Sequence, residues 1–217
     1  MSIRPAQTGS SQDRAVMRWL IGAGLAFGAV TASVNALSGS HPVLKPLSQV
    51  LGSGWAWAGI GVLAGALLVT RPSRAAVLTL LSAVIGYYLV DLWRGVYVAL
   101  DPSDPLYNVD PAHAGTVTLW ASLAGDLMRW GVAAVLLGPL LGLVGVATRR
   151  SDWLGLCCRL AVPLGAAVEM LVMRLPVEIQ SAGRPVVVTT VLVVGLVGVV
   201  TAAAMCVRHV RRHLGNA

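Results

Sequence analysis

The sequence predicts an all-α integral membrane protein, a bundle of six transmembrane helices with both termini in the cytoplasm. The chain of 217 residues is 56% hydrophobic and only 12% charged, whereas a soluble domain carries about 25% charged residues. Its six apolar segments each supply the ~20 residues that a membrane span requires. Basic residues are concentrated in alternate loops, and this bias predicts the orientation of the spans.

The predicted spans divide the chain into one membrane domain with short flanking segments. The spans cover residues 17–37, 50–70, 75–99, 117–147, 153–175 and 186–207. The first is longer than the apolar core of a signal peptide, which favours an uncleaved span. Pro139 in the fourth predicts a kink or a strong tilt. We expect a disordered cytoplasmic N-terminus over 1–15, a six-helix membrane domain over 16–208 and a basic cytoplasmic tail over 209–217.

Charged residues in the loops orient the spans. One set of loops carries nearly all of the basic residues, namely Arg4, Arg14, Arg18, Arg71, Arg74, Arg149, Arg150, Arg208, Arg211 and Arg212. The alternate loops hold only Lys45 and Arg184, and residues 101–115 contain three aspartates without any lysine or arginine. The positive-inside rule therefore predicts a multi-pass protein of the inner (plasma) membrane with cytoplasmic termini. The same rule accounts for the net charge of +7 without a nucleic-acid partner.

Three of the predicted spans carry both an acid and an arginine. The pairs are Asp91 with Arg94, Asp126 with Arg129, and Glu169 with Arg174. A charge within a span costs roughly 2.5–3.5 kcal/mol on insertion scales, so such residues normally face a bundle interior or a wet cavity. The predicted topology places all three pairs toward the outer side. We therefore expect the charges of the third and fourth spans to line one cavity that opens toward that side.

Aromatic and amide side chains lie at similar depths. The predicted substrate-binding set consists of Asn35, Trp55, Trp57, Tyr87, Tyr88, Trp93 and Trp120, together with Arg94 and Arg129. Aromatic faces and aliphatic walls would admit a ligand with a long apolar portion. Trp and Tyr near the ends of spans are also typical of membrane-interface anchors, an alternative that stays open for Trp55, Trp57, Tyr97 and Trp120.

The three acids differ in their local surroundings. Asp91 and Asp126 each precede an arginine by three residues, which places both charges on one helix face and favours the ionised carboxylate. Glu169 has no basic residue one α-helical turn away, so burial would favour its neutral form. The sequence therefore predicts Glu169 as the proton donor of a catalytic set, followed by Asp126 and Asp91. In the alternative interpretation the pairs only neutralise themselves and fix helix packing.

Several function classes are excluded by what the sequence lacks. All four histidines fall in loops or at the ends of spans, so no pair could hold a haem between helices. The cysteines and histidines do not form a zinc-binding cluster, and no nucleotide-binding or aspartate-rich diphosphate motif is present. The sequence predicts no metal and no cofactor. Any chemistry would depend on carboxyls, arginines, phenols and aromatic faces.

A family resemblance rests on three stretches between the second and fifth spans. These are Gly86-Tyr87-Tyr88…Asp91…Arg94-Gly95 with Arg74-Ala75-Ala76 before it, Trp120…Gly125, and Pro163…Ala167-Val168-Glu169. They resemble a group of small actinobacterial membrane proteins. The size, the number of spans and the intramembrane acids are also similar to bacterial membrane-bound terpene cyclases of the indole-sesquiterpenoid and drimane-type pathways.

The resemblance implies a proton-initiated cyclase that acts on a hydrophobic prenylated molecule within the bilayer. A protonated carboxyl would add a proton to a terminal alkene or an epoxide, and ring closure and proton loss would follow. Aromatic faces would stabilise the carbocation, and a pocket in the bilayer would exclude water.

Two other functions remain open. In one, the chain is a substrate-binding membrane subunit or a small transporter, in which Arg94 and Arg129 would receive an anionic ligand. In the third interpretation it is a structural or assembly protein whose charges lock the bundle.

Overall fold

A computed structural model describes residues 8–180 and 184–214 of the chain. Its α-helices are α1 (Thr8–Leu37), α2 (Lys45–Leu51), α3 (Gly54–Leu67), α4 (Pro72–Trp93), α5 (Trp120–Ala147), α6 (Trp153–Ala167), α7 (Leu175–Gln180) and α8 (Pro185–Leu214). A 3-10 turn, Pro42–Leu44, precedes α2, and a π-helical segment, Val168–Arg174, joins α6 to α7. Two short strands, β1 (Val98–Leu100) and β2 (Thr116–Thr118), form an antiparallel hairpin.

The chain is a helical membrane protein. Five helical stretches are long and apolar enough to cross a membrane: Ser11–Leu37, Pro72–Trp93, Trp120–Ala147, Trp153–Gln180 and Pro185–Arg212. The second apolar segment of the sequence is broken instead of continuous. Its two parts, Pro42–Leu51 and Gly54–Leu67, meet at an angle of 51° and together qualify as a sixth candidate span.

Helices α1 and α4 run parallel at very close range. A Cβ atom at Gly28 would lie only 1.8 Å from the carbonyl oxygen of Ala83, and one at Gly86 would lie 2.2 Å from that of Leu25. Glycine is the residue that permits this approach, because any side chain would enter the backbone of the neighbouring helix. Packing in lipid depends on such close contacts, since the surrounding acyl chains are as apolar as the side chains.

Glycines also lie at two further helix contacts. Helices α3 and α5 run parallel, and a Cβ at Gly65 would lie 2.3 Å from the carbonyl oxygen of Gly142. Helices α6 and α8 are antiparallel, and a Cβ at Gly198 would lie 2.6 Å from the carbonyl oxygen of Pro163. These directions place the start of α1 and the end of α8 at the same end of the bundle, which we call the terminal end.

The opposite end carries the β-hairpin, and we call it the hairpin end. Helix α4 stops at Trp93, and Gly95 follows with a φ of 72°, a left-handed conformation that glycine adopts without strain. The predicted third span over 75–99 is therefore too long, and its last residues form β1. The side chain of Asp104 accepts hydrogen bonds from the backbone N–H groups of Leu106 (2.7 Å) and Gly115 (2.8 Å), so it holds the loop of the hairpin together.

The predicted disordered N-terminus is helical in the part that the structure describes. Helix α1 begins at Thr8, and the carboxylate of Asp13 accepts a 2.8 Å hydrogen bond from the hydroxyl of Thr70. This contact ties the first turns of α1 to the α3–α4 connection. Residues 1–7 of the predicted N-terminus and residues 215–217 of the predicted tail lie outside the described residues.

Candidate ligand cavity and the ion pair at a broken helix

A cavity of about 370 Å³ lies among α1, α3, α4 and α5. Its volume is within the range of 300–1,000 Å³ typical of small-molecule sites. The lining consists of Thr31, Asn35, Gly52, Gly54, Trp57, Ala58, Leu80, Val84, Tyr87, Tyr88, Trp130, Ala133, Ala134, Leu137 and Leu141. None of these described residues is charged, so the cavity suits an uncharged and largely apolar ligand.

The polar groups of the cavity are concentrated at the hairpin end. The side-chain amide of Asn35 donates a 3.3 Å hydrogen bond to the phenol oxygen of Tyr87, and its carbonyl oxygen accepts one of 2.7 Å from Ser48. Leu80 and Leu141 line the part nearer the terminal end. The cavity therefore offers hydrogen-bonding groups to one end of a ligand and only apolar contacts to the other.

Aromatic rings form a continuous series beside the cavity, and three of its members, Trp57, Tyr87 and Tyr88, belong to the lining. The ring of Phe27 lies 5.4 Å from that of Trp57, which lies 6.3 Å from that of Tyr87. The rings of Tyr87 and Tyr88 are 5.4 Å apart, and Tyr97 follows Tyr88 at 6.3 Å. The first three pairs are edge-to-face and the last is tilted, and such pairs stabilise the packing. They also leave ring faces that can attract a positively charged group.

The structure separates the predicted aromatic residues into two sets. Trp57, Tyr87 and Tyr88 line the cavity, as Asn35 does. Trp93 and Trp120 do not, since their side chains are 85% and 64% exposed on the outer surface of the bundle. The prediction that they line it is wrong for this cavity, because α4 ends at Trp93 and α5 begins at Trp120. Trp93 borders a separate, more open groove between α1 and α4.

Trp55 also lies outside the cavity lining. It packs against the buried side chains of Met170, Val187 and Val191, beside α8. Trp130, which is not among the predicted site residues, lines the cavity instead. Its position one helical turn after Asp126 was the only signal that could have identified it.

Glu169 and Arg174 form an ion pair that joins the two parts of the broken helix. The Nη2 and Nε atoms of Arg174 lie 2.8 Å and 3.0 Å from Oε1 of Glu169. The other carboxylate oxygen accepts a 3.1 Å hydrogen bond from the backbone N–H of Trp55, in the first turn of α3. The guanidinium donates to the carbonyl oxygens of Gln49 (3.2 Å) and Gly52 (3.3 Å), and also to the side-chain oxygen of Gln49.

This arrangement satisfies backbone groups that the break leaves without helical partners. The carboxylate lies at the N-terminus of α3 and the guanidinium at the C-terminus of α2, so each charge complements the dipole of the helix end that it contacts. Trp57 adds a hydrogen bond of 3.1 Å from its indole N–H to the carbonyl oxygen of Leu51. Irregular backbone within a membrane requires such partners, because lipid supplies none.

The prediction that Glu169 lacks a cationic neighbour is wrong. It assumed α-helical spacing, in which residues three and four apart are neighbours. Glu169 and Arg174 are five residues apart and lie within the π-helical segment Val168–Arg174, whose hydrogen bonds join residues five apart. Both carboxylate oxygens of Glu169 already accept hydrogen bonds, from Arg174 and from the N–H of Trp55, which counts against Glu169 as the proton donor.

The charges of the third and fourth spans do not line the cavity, contrary to the sequence prediction. Asp126 accepts a 2.9 Å hydrogen bond from the phenol of buried Tyr97. Burial, and then this hydrogen bond to Asp126, raise the pKa of Tyr97 above its ordinary value. Arg129 is 74% exposed, and its guanidinium lies 3.9 Å from the nearest oxygen of Asp126.

Asp91 is half-buried and Arg94 is exposed. The pair does not form a salt bridge within 4.0 Å because α4 ends between them, with Arg94 as its C-cap. Asp91 follows Tyr87 by four residues and Tyr88 by three, so it shares a helix face with two phenols that line the cavity. Of the three predicted acids, Asp91 is the one without an ion pair among the described residues.

Comparison with known proteins does not assign the chain to a family: no protein-family model, no curated protein and no solved structure matches it.

Proposed function

We propose that this protein is a membrane-embedded enzyme that binds an uncharged prenylated molecule in the aromatic cavity and cyclises it by protonation of an alkene. The observation that carries the proposal is the cavity itself. It is bordered by four helices, has no charged lining residue among those described, and has Trp57, Tyr87 and Tyr88 among its lining. An apolar site of this kind excludes water from a carbocation, and the ring faces stabilise its charge.

The proposed proton donor is Asp91, in place of Glu169. Asp91 lacks an ion pair among the described residues and lies on the same face of α4 as Tyr87 and Tyr88. A carboxyl that is half-buried and unpaired is better suited to hold a proton than one bound by a guanidinium. The two phenols are protic groups of the cavity lining, and they would orient the alkene and exchange the proton.

The proposed reaction is an isomerisation. The proton adds to one carbon of the alkene and leaves a tertiary carbocation at the other. The π electrons of a second alkene in the same chain form a carbon–carbon bond to this cation. A neighbouring C–H bond then loses its proton to the conjugate base, which restores an alkene and the acid. Substrate and product therefore have the same mass.

Asp91→Asn tests this proposal. Membranes that contain the protein are incubated with a prenylated indole, and isomers of unchanged mass are resolved by chromatography and mass spectrometry. We expect turnover by the wild-type protein and a loss of 10²-fold or more in the variant, the usual effect of removing a general acid. Asp13→Asn is the matched control, because Asp13 contacts Thr70 far from the cavity, and it should retain full turnover.

Two outcomes would contradict the proposal. If Asp91→Asn is as active as the wild type while folded Glu169→Gln is inactive, Glu169 is the donor despite its ion pair. If the wild-type protein binds the prenylated indole but never isomerises it, the cavity is a binding site only.

A second candidate function, a substrate-binding subunit or small transporter, is favoured by the broken helix. Transporters often form substrate sites from discontinuous membrane helices, and Gly52 and Gly54 at the break line the cavity. Accumulation of an unmodified ligand in proteoliposomes would favour this function over cyclisation. The ligand would again be uncharged, because Arg94 and Arg129 lie outside the cavity lining.

We further propose that α2 and α3 together form a sixth span and that both termini lie on the cytoplasmic side of the plasma membrane. The basic residues of the loops support this orientation. The start of α1 and the end of α8 also lie together at the terminal end of the bundle. A phosphatase fused to the C-terminus should be inactive, while one inserted in the hairpin loop at 108 should be active, because the enzyme folds only outside the cytoplasm. The reverse pattern would contradict the orientation.

A further inference from the structure

The outward face of α5 near the hairpin end has an unusual composition for a surface in contact with lipid. Ala121, Gly125 and Arg129 follow one another at intervals of four residues, so they form one row along the helix, and all three are exposed. A Cβ at Gly125 would meet no atom within 4 Å. The row is therefore a shallow strip of small side chains that ends at an arginine.

Among the residues that the structure describes, Arg129 has only a distant ion-pair partner. Its side chain is 74% exposed, and the nearest carboxylate oxygen, on Asp126, is 3.9 Å away. It is the tenth residue of α5, so it lies about 13 Å along the helix axis from the start. Exposed Met128, Val132 and Leu136 surround it. An arginine on a lipid-facing surface at this depth is unfavourable, whereas pairing with a carboxylate on another helix reduces that cost.

We propose that this face of α5 binds the same face of a second copy of the chain, related by a two-fold axis parallel to the helices. The small residues at 121 and 125 allow close approach of two helices. Arg129 and Asp126 are one turn apart, and a two-fold axis makes every contact reciprocal. Arg129 of each copy then pairs with Asp126 of the other. This charge complementarity selects a second copy over an unrelated partner, because one face carries both halves of the pair.

Reversal of the two charges provides a specific test. Two pools of the full-length chain carry a donor or an acceptor fluorophore at the C-terminus, and energy transfer is measured after reconstitution in liposomes at high lipid-to-protein ratio. We expect wild-type chains to show energy transfer well above that of random proximity. Arg129→Asp alone and Asp126→Arg alone should each reduce it at least fivefold, because two like charges then face each other across the axis.

Mixing the two variants should restore energy transfer to at least half of the wild-type value. In the mixed pair, one chain contributes two acids and the other two arginines, so both reciprocal contacts are again attractive. If Asp126 and Arg129 interact only within one chain, mixing the variants should not restore energy transfer, because each variant still carries two like charges on its own helix. Absence of restoration between variants that remain monodisperse and thermally stable would overturn the proposal.

Gly125→Leu tests the same face without changing charge. A Cβ at Gly125 meets no atom within 4 Å, so we expect leucine to leave the monomer intact while its side chain holds two copies apart. Energy transfer should fall at least fivefold. Gly22→Leu is the matched control, since a Cβ there also meets no atom within 4 Å and Gly22 lies on α1, and it should leave the transfer unchanged. Random-proximity transfer by the wild type, or an undiminished signal from Gly125→Leu, would show that lipid covers this face.

Discussion

Gly28→Leu should prevent the bundle from folding. A Cβ at this position would lie 1.8 Å from the carbonyl oxygen of Ala83 and 2.8 Å from the backbone nitrogen of Tyr87. Because both contacts are with backbone atoms, no change of rotamer can relieve them and α1 must move away from α4. We expect the free energy of unfolding to fall by about 4 kcal/mol or more, since a clash with backbone atoms costs more than the usual overpacking of a core by side chains.

The displacement would also reach the cavity. Thr31 and Asn35 on α1 and Tyr87 on α4 line it, so separation of the two helices would break the hydrogen bond from Asn35 to Tyr87. The measurement is the yield of monodisperse protein after extraction in mild detergent, followed by unfolding in mixed micelles with SDS. Gly22→Leu is the control and should behave as the wild type. A stable Gly28→Leu protein would show that α1 and α4 are farther apart than described.

The approximate limits of most of the apolar helices could be predicted from the sequence, because hydropathy reports directly on the length of lipid-facing helix. The segment predicted over 153–175 begins at the first residue of α6. The break at Gly52 and Ser53 could not be predicted, since glycine is common in continuous membrane helices. The early end of α4 was indicated in principle by Gly95, but the apolar residues after it resemble a further helical turn.

The candidate site was harder to predict because its geometry depends on contacts between distant segments. Local spacing places Tyr87 and Tyr88 one turn before Asp91, and this holds in the structure because all three belong to one regular helix, α4. It failed for Glu169, where a π-helical segment replaces α-helical spacing. A signal was present in Pro176, whose ring removes a backbone donor and disfavours a regular helix before it. The contact of Glu169 with Trp55, 114 residues apart, had no local signal.

Arg174→Met should destabilise the protein by about 3 kcal/mol, the lower end of the range for a buried pair that loses one partner. We place it there because 25% of the arginine side chain and 19% of the glutamate side chain remain exposed. The variant leaves the carboxylate of Glu169 without a cation and the carbonyl oxygens of Gln49 and Gly52 without donors. Since both carbonyls belong to the break, α2 should detach from α3 first, which faster hydrogen exchange over 45–55 would show.

Arg150→Met is the matched control for this effect. Arg150 also pairs with an acid, Asp152, at 2.5 Å, but 58% of its side chain and 45% of that of Asp152 are exposed. Exposed pairs contribute little because water and salt screen them, so this variant should unfold close to the wild-type midpoint. Equal losses for the two arginines would mean that the pair at the break is as well solvated as the one at the terminal end.

The double variant Glu169→Gln with Arg174→Met distinguishes the contribution of the ion pair to stability from that of the hydrogen bonds that Arg174 donates at the break. Removal of both charges leaves no uncompensated ion, and the amide oxygen of glutamine can still accept the hydrogen bond from the N–H of Trp55. The double variant should therefore be more stable than Arg174→Met alone, with a coupling energy of about 1–3 kcal/mol in a double-mutant cycle. It should still be less stable than the wild type, because the carbonyl oxygens at the end of α2 remain without a donor in an environment that supplies none. If the double variant reached wild-type stability, the ion pair would be dispensable for closing the break, and Glu169 would again be available for a catalytic role.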